Sequence, residues 1–163
     1  MSIVLLRVDE RLIHGQVIVG WGSQLHPDRI VVVDDAIAES DWEQELYTIG
    51  LPPDLQASFV TVEQARDHIG EWRESGERVI VLTRDIGTMQ RLAEGGLLSG
   101  DEVNIGGIHY SADRRPVLPY VYLSDAEAAA LDSLAREGVN VTARDLPGAR
   151  RVPLSDLLRS GRT

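Results

Sequence analysis

Ile30-Val31-Val32-Val33 is an unbroken row of apolar residues that runs directly into Asp34-Asp35. A strand with one wet face alternates apolar and polar residues, whereas an unbroken row fits a strand buried on both faces, as in a parallel sheet covered by helices. Val79-Ile80-Val81-Leu82 repeats the pattern and runs into Thr83-Arg84-Asp85. Further β-branched runs at Ile3 to Val8, Ser58 to Val62, Val103 to Ile105, Val117 to Leu123 and Val139 to Thr142 predict seven strands in all.

Longer amphipathic stretches separate these runs and carry helix punctuation. Ser40 with Glu43, Thr61 with Gln64, and Ser124 with Glu127 each fit a capping box. Gly76, Gly138 and Gly95-Gly96 fit the position just past a helix end, where a left-handed backbone suits glycine. Pro52-Pro53, Pro116, Pro119, Pro147 and Pro153 mark turns or sheet edges. With no repeat or long linker, the 163 residues predict one doubly wound α/β domain with helices on both faces of the sheet.

The composition is that of a globular chain, 43% hydrophobic and 26% charged, with a formal net charge of −10. That charge argues against nucleic acid as a partner, because phosphate backbones are gripped by clustered Lys and Arg. The chain contains no cysteine, which excludes disulfides, thiolate chemistry and thiolate zinc sites. It has no secretory signal pattern and no apolar run near the roughly 20 residues that span a bilayer, so a cytoplasmic location without direct membrane insertion is expected.

Function is written most densely in Arg7-Val8-Asp9-Glu10-Arg11-Leu12-Ile13-His14-Gly15-Gln16-Val17. It sets one histidine between the first strand and the first helix, at the carboxyl end of a strand where open parallel sheets bind ligands. The N–H groups of Gly15, Gln16 and Val17 lack acceptors at a helix start and favour an anion. Gly15 adds no Cβ to block its approach, and Arg11 offers a planar fork of donors for phosphate oxygens. Asp9 can accept from one ring nitrogen of His14, leaving the other as a nucleophile. Arg7 and Glu10 read as strand-edge and surface charges.

Other loops should converge on the same edge. Asp34-Asp35 and Thr83 fit turn formation and helix capping as well as ligand contact. Gly106-Gly107 follows the fifth strand, with His109 just beyond. No nucleotide-binding glycine pattern, H-E-x-x-H or G-x-S-x-G occurs, and adjacent aspartates without a third ligand predict no metal site. His26 fits a helix carboxyl end and His68 a solvated helix face.

Asp9 to Val17, D-E-R-L-I-H-G-Q-V, resembles the signature of the IIB component of the mannose/fructose/sorbose class of the bacterial phosphoenolpyruvate:sugar phosphotransferase system. The resemblance continues at Trp21, at Ile30 to Ala38, at Leu92-Ala93-Glu94-Gly95-Gly96 and at Val103-Asn104-Ile105-Gly106-Gly107. It implies a single IIB domain over 1–163 and an open, mainly parallel seven-stranded sheet of order 3-2-4-1-5-6-7 with the last strand antiparallel. It also implies that His14 accepts a phosphoryl group at Nδ1 from a phosphohistidine on IIA. The group then passes to a sugar entering through membrane components IIC and IID.

Asp9 and Arg11 would serve with His14 in catalysis, and Arg11, Gly15, Gln16, Val17 and Thr83 would bind phosphate. No metal or cofactor is called for, because the step needs an in-line nucleophile and charge neutralisation. Ile108 to Arg115 and Leu118-Pro119-Tyr120 depart from the mannose-type pattern. Two other readings fit the same motif: a regulatory phosphocarrier phosphorylated on His14 that transports no sugar, and a domain that only captures an anionic metabolite.

Overall fold

The unbroken apolar runs form the middle of the sheet. In the computed structural model, which describes residues 2–160, the strands are β1 (Ile3–Val8), β2 (Arg29–Val33), β3 (Gln56–Val60), β4 (Val79–Thr83), β5 (Glu102–Ile105), β6 (Arg115–Leu118), β7 (Val121–Leu123), β8 (Asn140–Ala143) and β9 (Val152–Pro153). The seven-stranded sheet has the order β3-β2-β4-β1-β5-β8-β9. Every pairing in it is parallel except that of β9, which runs antiparallel to β8.

A π-helical turn, Gln16–Trp21, runs into α1 (Gly22–Leu25), and a 3-10 turn, Ile37–Glu39, leads into α2 (Asp41–Ile49). The remaining helices are α3 (Val62–Glu74), α4 (Ile86–Ala93), α5 (Asp125–Arg136) and α6 (Leu154–Ser160). Because successive strand residues point to opposite faces, β2 and β4 feed two cores. Val31, Val33, Val79 and Val81 pack on one face with Ile69, Met89, Leu131 and Leu157. Ile30, Val32, Ile80 and Leu82 pack on the other with Leu12, Ile13, Val17 and Ile37. Removing side chains of this size from water contributes roughly 1.5–3 kcal/mol each.

The doubly wound α/β class, the strand order and the antiparallel last strand all agree with the sequence reading, but the membership of the sheet differs. Val117 to Leu123 is not a single sheet strand. Proline 119 has no N–H and a fixed φ, and the run folds there into the separate antiparallel hairpin β6–β7. The seventh sheet strand is instead β9, two residues long and too short to leave a periodic signal. Its Pro153 is tolerated because β9 is an edge strand. Strand β3 ends at Val60, because Thr61 leaves it to cap α3.

The Thr61–Gln64 and Ser124–Glu127 capping boxes both form. Ser40 does not complete one: its side chain makes no cap bond, and Gln44 instead donates to the carbonyls of Ile37 and Ala38. Gly95, Gly96 and Gly138 have positive φ, whereas α3 ends in extended backbone at Ser75 and Gly76 needs no left-handed turn.

Chain direction reverses between two neighbouring strands. From β1 the chain runs to β2 on one side of the sheet, and from β5 it runs towards β8 on the other. The loops leaving β1 and β5 therefore part at their carboxyl ends and leave a crevice there. Loss of a formed cap costs about 1 kcal/mol. Ser124→Ala is therefore expected to lower urea stability by about that amount, and Ser40→Ala by less than about 0.5 kcal/mol.

Candidate functional site

The crevice is organised by a buried ion pair. Arg7 and Asp9 are both completely inaccessible, and Arg7 Nη2 donates to Asp9 Oδ2 at 3.1 Å. Residues two apart on a strand share a face, so β1 and its first loop residue present the two charges together. Arg7 also donates to Asn104 Oδ1, to the Arg144 carbonyl at 2.8 Å and to the Asp145 carbonyl at 3.2 Å. Its guanidinium lies 5.1 Å from the centre of the Trp21 ring, whose Nε1 donates to the same Asp145 carbonyl. Burial pushes the Arg7 guanidinium below its ordinary pKa, and Asp9 opposes that shift.

Arg7 is thus no strand-edge charge. β1 is central in the sheet, and a cation there has to be paired. Arg at one position followed by Asp two residues on was the signal that could have revealed it. Gly106 completes the arrangement, because a Cβ there would overlap the Arg7 guanidinium.

Asp9 fixes the loop that follows. Its Oδ1 accepts from the Arg11 N–H at 3.1 Å and its Oδ2 from the Gly107 N–H at 3.2 Å. Its own N–H donates to the Thr83 carbonyl and its carbonyl accepts from Leu12, both at 3.0 Å. Asp9 thereby ties the β1 loop to both neighbouring strands, through its carboxylate to Gly107 just after β5 and through its backbone N–H to β4.

His14 Nε2 lies 3.6 Å from Asp9 Oδ2, close enough for electrostatic attraction but beyond a hydrogen bond. The histidine side chain is 15% exposed, and neither shielded ring nitrogen has a hydrogen-bond partner among the described residues. Burial lowers its pKa below the usual imidazole value; Asp9 works against this, while Arg11, Arg7 and His109 lower it further. The ring is therefore neutral at pH 7.

Arg11 is 40% exposed in its side chain and is steadied from two sides. Its Nη2 donates to Gln16 Oε1 at 2.8 Å, and its Nε lies 3.5 Å from Asp9 Oδ1. The N–H groups of Gly15, Gln16 and Val17 have no acceptor among the described residues. A Cβ on Gly15 would meet nothing within 4 Å, so the space in front of it is open. Val17 offers only its N–H, since its side chain is buried in the core.

The remaining sequence candidates separate into two groups. Thr83 lies beneath the site with its side chain fully buried, and its hydroxyl donates to the Asp85 carbonyl at 2.9 Å. Asp34 closes the turn after β2 by accepting from Ala36 and Ile37, both at 3.0 Å. Asp35 accepts from Val62 at 2.9 Å at the start of α3. Gly107 and His109 do join the site. A Cβ on Gly107 would sit 3.3 Å from Arg11 Nη2, 3.3 Å from His109 Nε2 and 3.4 Å from Asp9 Oδ1. Glu10 is not a free surface charge: it accepts from the backbone N–H of His109 and, at 3.1 Å, from Arg114 Nη1. No group of three or more metal-ligating side chains occurs among the described residues.

The chain around this histidine matches a known family over almost its whole length. The profile described as "PTS system sorbose subfamily IIB component" matches residues 3–163. The chain belongs to that family. It is 33% identical over 158 residues to the N-acetylgalactosamine-specific phosphotransferase enzyme IIB component 1 of Escherichia coli K12, covering 95% of this chain and 98% of the relative. It is 30% identical to the fructose-specific EIIB component of Bacillus subtilis 168, covering 98% of each. The crystal structure of an N-acetylgalactosamine IIB component from Streptococcus pyogenes superposes with a TM-score of 0.85 at 27% identity, covering 96% of this chain and 97% of that one. This IIB component is accordingly a sugar-specific phosphotransferase subunit of a sugar-uptake system.

Two measurements check the electrostatics of the site. Arg7→Ala leaves the Asp9 carboxylate buried and uncompensated, and is expected to cost about 3–5 kcal/mol in urea unfolding. In an NMR titration of the imidazoles, the His14 midpoint is expected below the ~6.5 of a free imidazole. Because the folded value is depressed, the stability it contributes is present above pH ~6.5 and is lost as pH falls through the window below.

Proposed function

We propose that His14 is the phosphoacceptor of this IIB component. It takes its phosphoryl group from a phosphohistidine on a IIA domain and passes it to a sugar entering through membrane components IIC and IID. The observation that carries this reading is the orientation of the imidazole. With Nε2 3.6 Å from the Asp9 carboxylate, that negative charge favours the tautomer with its proton on Nε2 and its lone pair on Nδ1. The lowered pKa keeps that lone pair free at neutral pH.

In the first step the bond from phosphorus to the donor imidazole breaks as the bond to Nδ1 forms, and the donor leaves with the electron pair. His14 loses no proton. The spread charge on the equatorial oxygens is met by Arg11 and by the N–H groups of Gly15, Gln16 and Val17. Gln16 contributes further by holding Arg11. Thr83 serves through its carbonyl, which fixes Asp9, while its hydroxyl is engaged with Asp85. In the second step a sugar hydroxyl attacks phosphorus, its proton passes to a base, and the electron pair of the broken P–N bond returns to Nδ1.

Nδ1 is shielded in the resting arrangement, so the imidazole or its loop has to turn before attack. Leu12, held at φ 53°, is the strained point of that loop; a left-handed backbone costs a residue of this type roughly 1–2 kcal/mol. Among the described residues no helix is long and apolar enough to cross a membrane. The chain works at the cytoplasmic face and meets the membrane through IIC and IID. The sugar-specific names of its relatives favour transport over regulation.

Incubation with a phosphorylated IIA domain is expected to place one acid-labile phosphate on the wild-type chain and none on His14→Ala. Arg11→Ala is expected to label on the order of 100-fold more slowly, the usual effect of removing one preorganised charge-stabilising donor. Equal labelling of wild type and His14→Ala rules the reading out.

A further inference from the structure

Phosphate acceptance at His14 leaves one charge network unused. Glu10 Oε1 accepts from the backbone N–H of His109 and lies 3.3 Å from its Nδ1. Glu10 Oε2 accepts from Arg114 Nη1 at 3.1 Å, and the same Nη1 donates to the His109 carbonyl at 2.9 Å. Arg114 in turn forms a two-pronged pair with Glu127, at 2.8 Å on each side, and Glu127 closes the capping box of α5. His109 is therefore held at its N–H by Glu10 from the β1 loop and at its carbonyl by Arg114 from its own loop, with the Glu10 carboxylate also beside its Nδ1.

Binding only the N–H and the carbonyl would close this loop with any residue. The contact to Nδ1 is particular to histidine, and it turns Nε2 towards the site. The Arg114 side chain is 15% exposed, whereas the imidazole it helps to hold is 54% exposed. His109 Nε2, Arg11 Nη2 and Asp9 Oδ1 crowd around one backbone point at Gly107. His109 also contributes to the field that disfavours charging of His14.

We propose that His109 is a second phosphoryl-positioning residue, whose Nε2–H donates to a phosphoryl oxygen carried on His14 while Arg11 binds from another direction. The proposal rests on the reading of His14 as phosphoacceptor. Its charge logic is simple. A phosphoryl group brings close to two negative charges, which favour the imidazolium form of a nearby histidine. Glu10 stands ready at Nδ1 to hold the second proton. The other charged groups around it are Asp9, Arg11 and His14 from the β1 loop and Arg114 from its own loop.

The test follows imidazole and phosphorus NMR of the full chain with and without phosphate delivered from a phosphorylated IIA domain. On phosphorylation the His109 imidazole resonances are expected to move, while those of His26 and His68 stay in place. The phosphohistidine 31P resonance is expected to shift in His109→Ala and to return towards its wild-type position in His109→Gln. A purely structural role for His109 would not give that recovery in a variant that keeps only the N–H donor. Loss of phosphate is expected to be about threefold to tenfold faster in His109→Ala, and slower again in His109→Gln, which keeps an N–H donor. Unmoved His109 resonances on a chain that carries phosphate overturn this proposal alone. Failure of His14 to take phosphate overturns the reading of the site itself.

Discussion

The buried Arg7–Asp9 ion pair is the constraint on which the rest of the site depends. Two charges removed from water are costly, and their mutual attraction compensates only when the other donors and acceptors are also met. Here most of them are: Arg7 reaches Asn104 and two carbonyls of the loop after β8, and Asp9 accepts from Arg11 and Gly107. The consequence is geometric. One pair clamps together the loops leaving β1, β5 and β8, so the crevice beside β1 and β5 has a defined floor.

The electrostatics above that floor follow from the clamp. Asp9 holds the backbone of Arg11 and faces Nε2 of His14 with the same carboxylate. Partial burial discourages a proton from adding to the imidazole; Asp9 opposes this, and Arg11 and Arg7 act in the same direction as burial. The result is a neutral ring beside free backbone N–H groups and a steadied guanidinium, an environment suited to receive a dianion. The π-helical turn over Gln16–Trp21 begins at these N–H groups, and local departures from α-helix of this kind are frequent at functional sites.

Much of the fold was legible because its signals are local. Unbroken rows such as Val79 to Leu82 announced strands covered on both faces, and the capping boxes at Thr61 and Ser124 formed as their side chains require. The errors arose where a local signal was weak or ambiguous. A two-residue edge strand has no period to detect, and a β-branched run containing Pro119 looked continuous although it folds back on itself. Ser40 had the right spacing for a box, but the 3-10 turn before it brought Gln44 to the exposed carbonyls instead.

By itself, the sequence determined the α/β class, the family, and the histidine between a strand and a helix, since each is carried by residues close together in the chain. Only the tertiary structure showed what surrounds Arg7, Gly106, Glu10 and His109. Partners about a hundred residues away or more decide it: Asn104 and Arg144 for Arg7, Arg7 for Gly106, Arg114 for Glu10 and Glu10 for His109. A charge in isolation reads as solvated, and only the packing of β1 against β5 shows that one arginine has lost its water and that a distant histidine has been turned towards the site. Desolvation and convergence are properties of three-dimensional contact, which residue spacing does not encode.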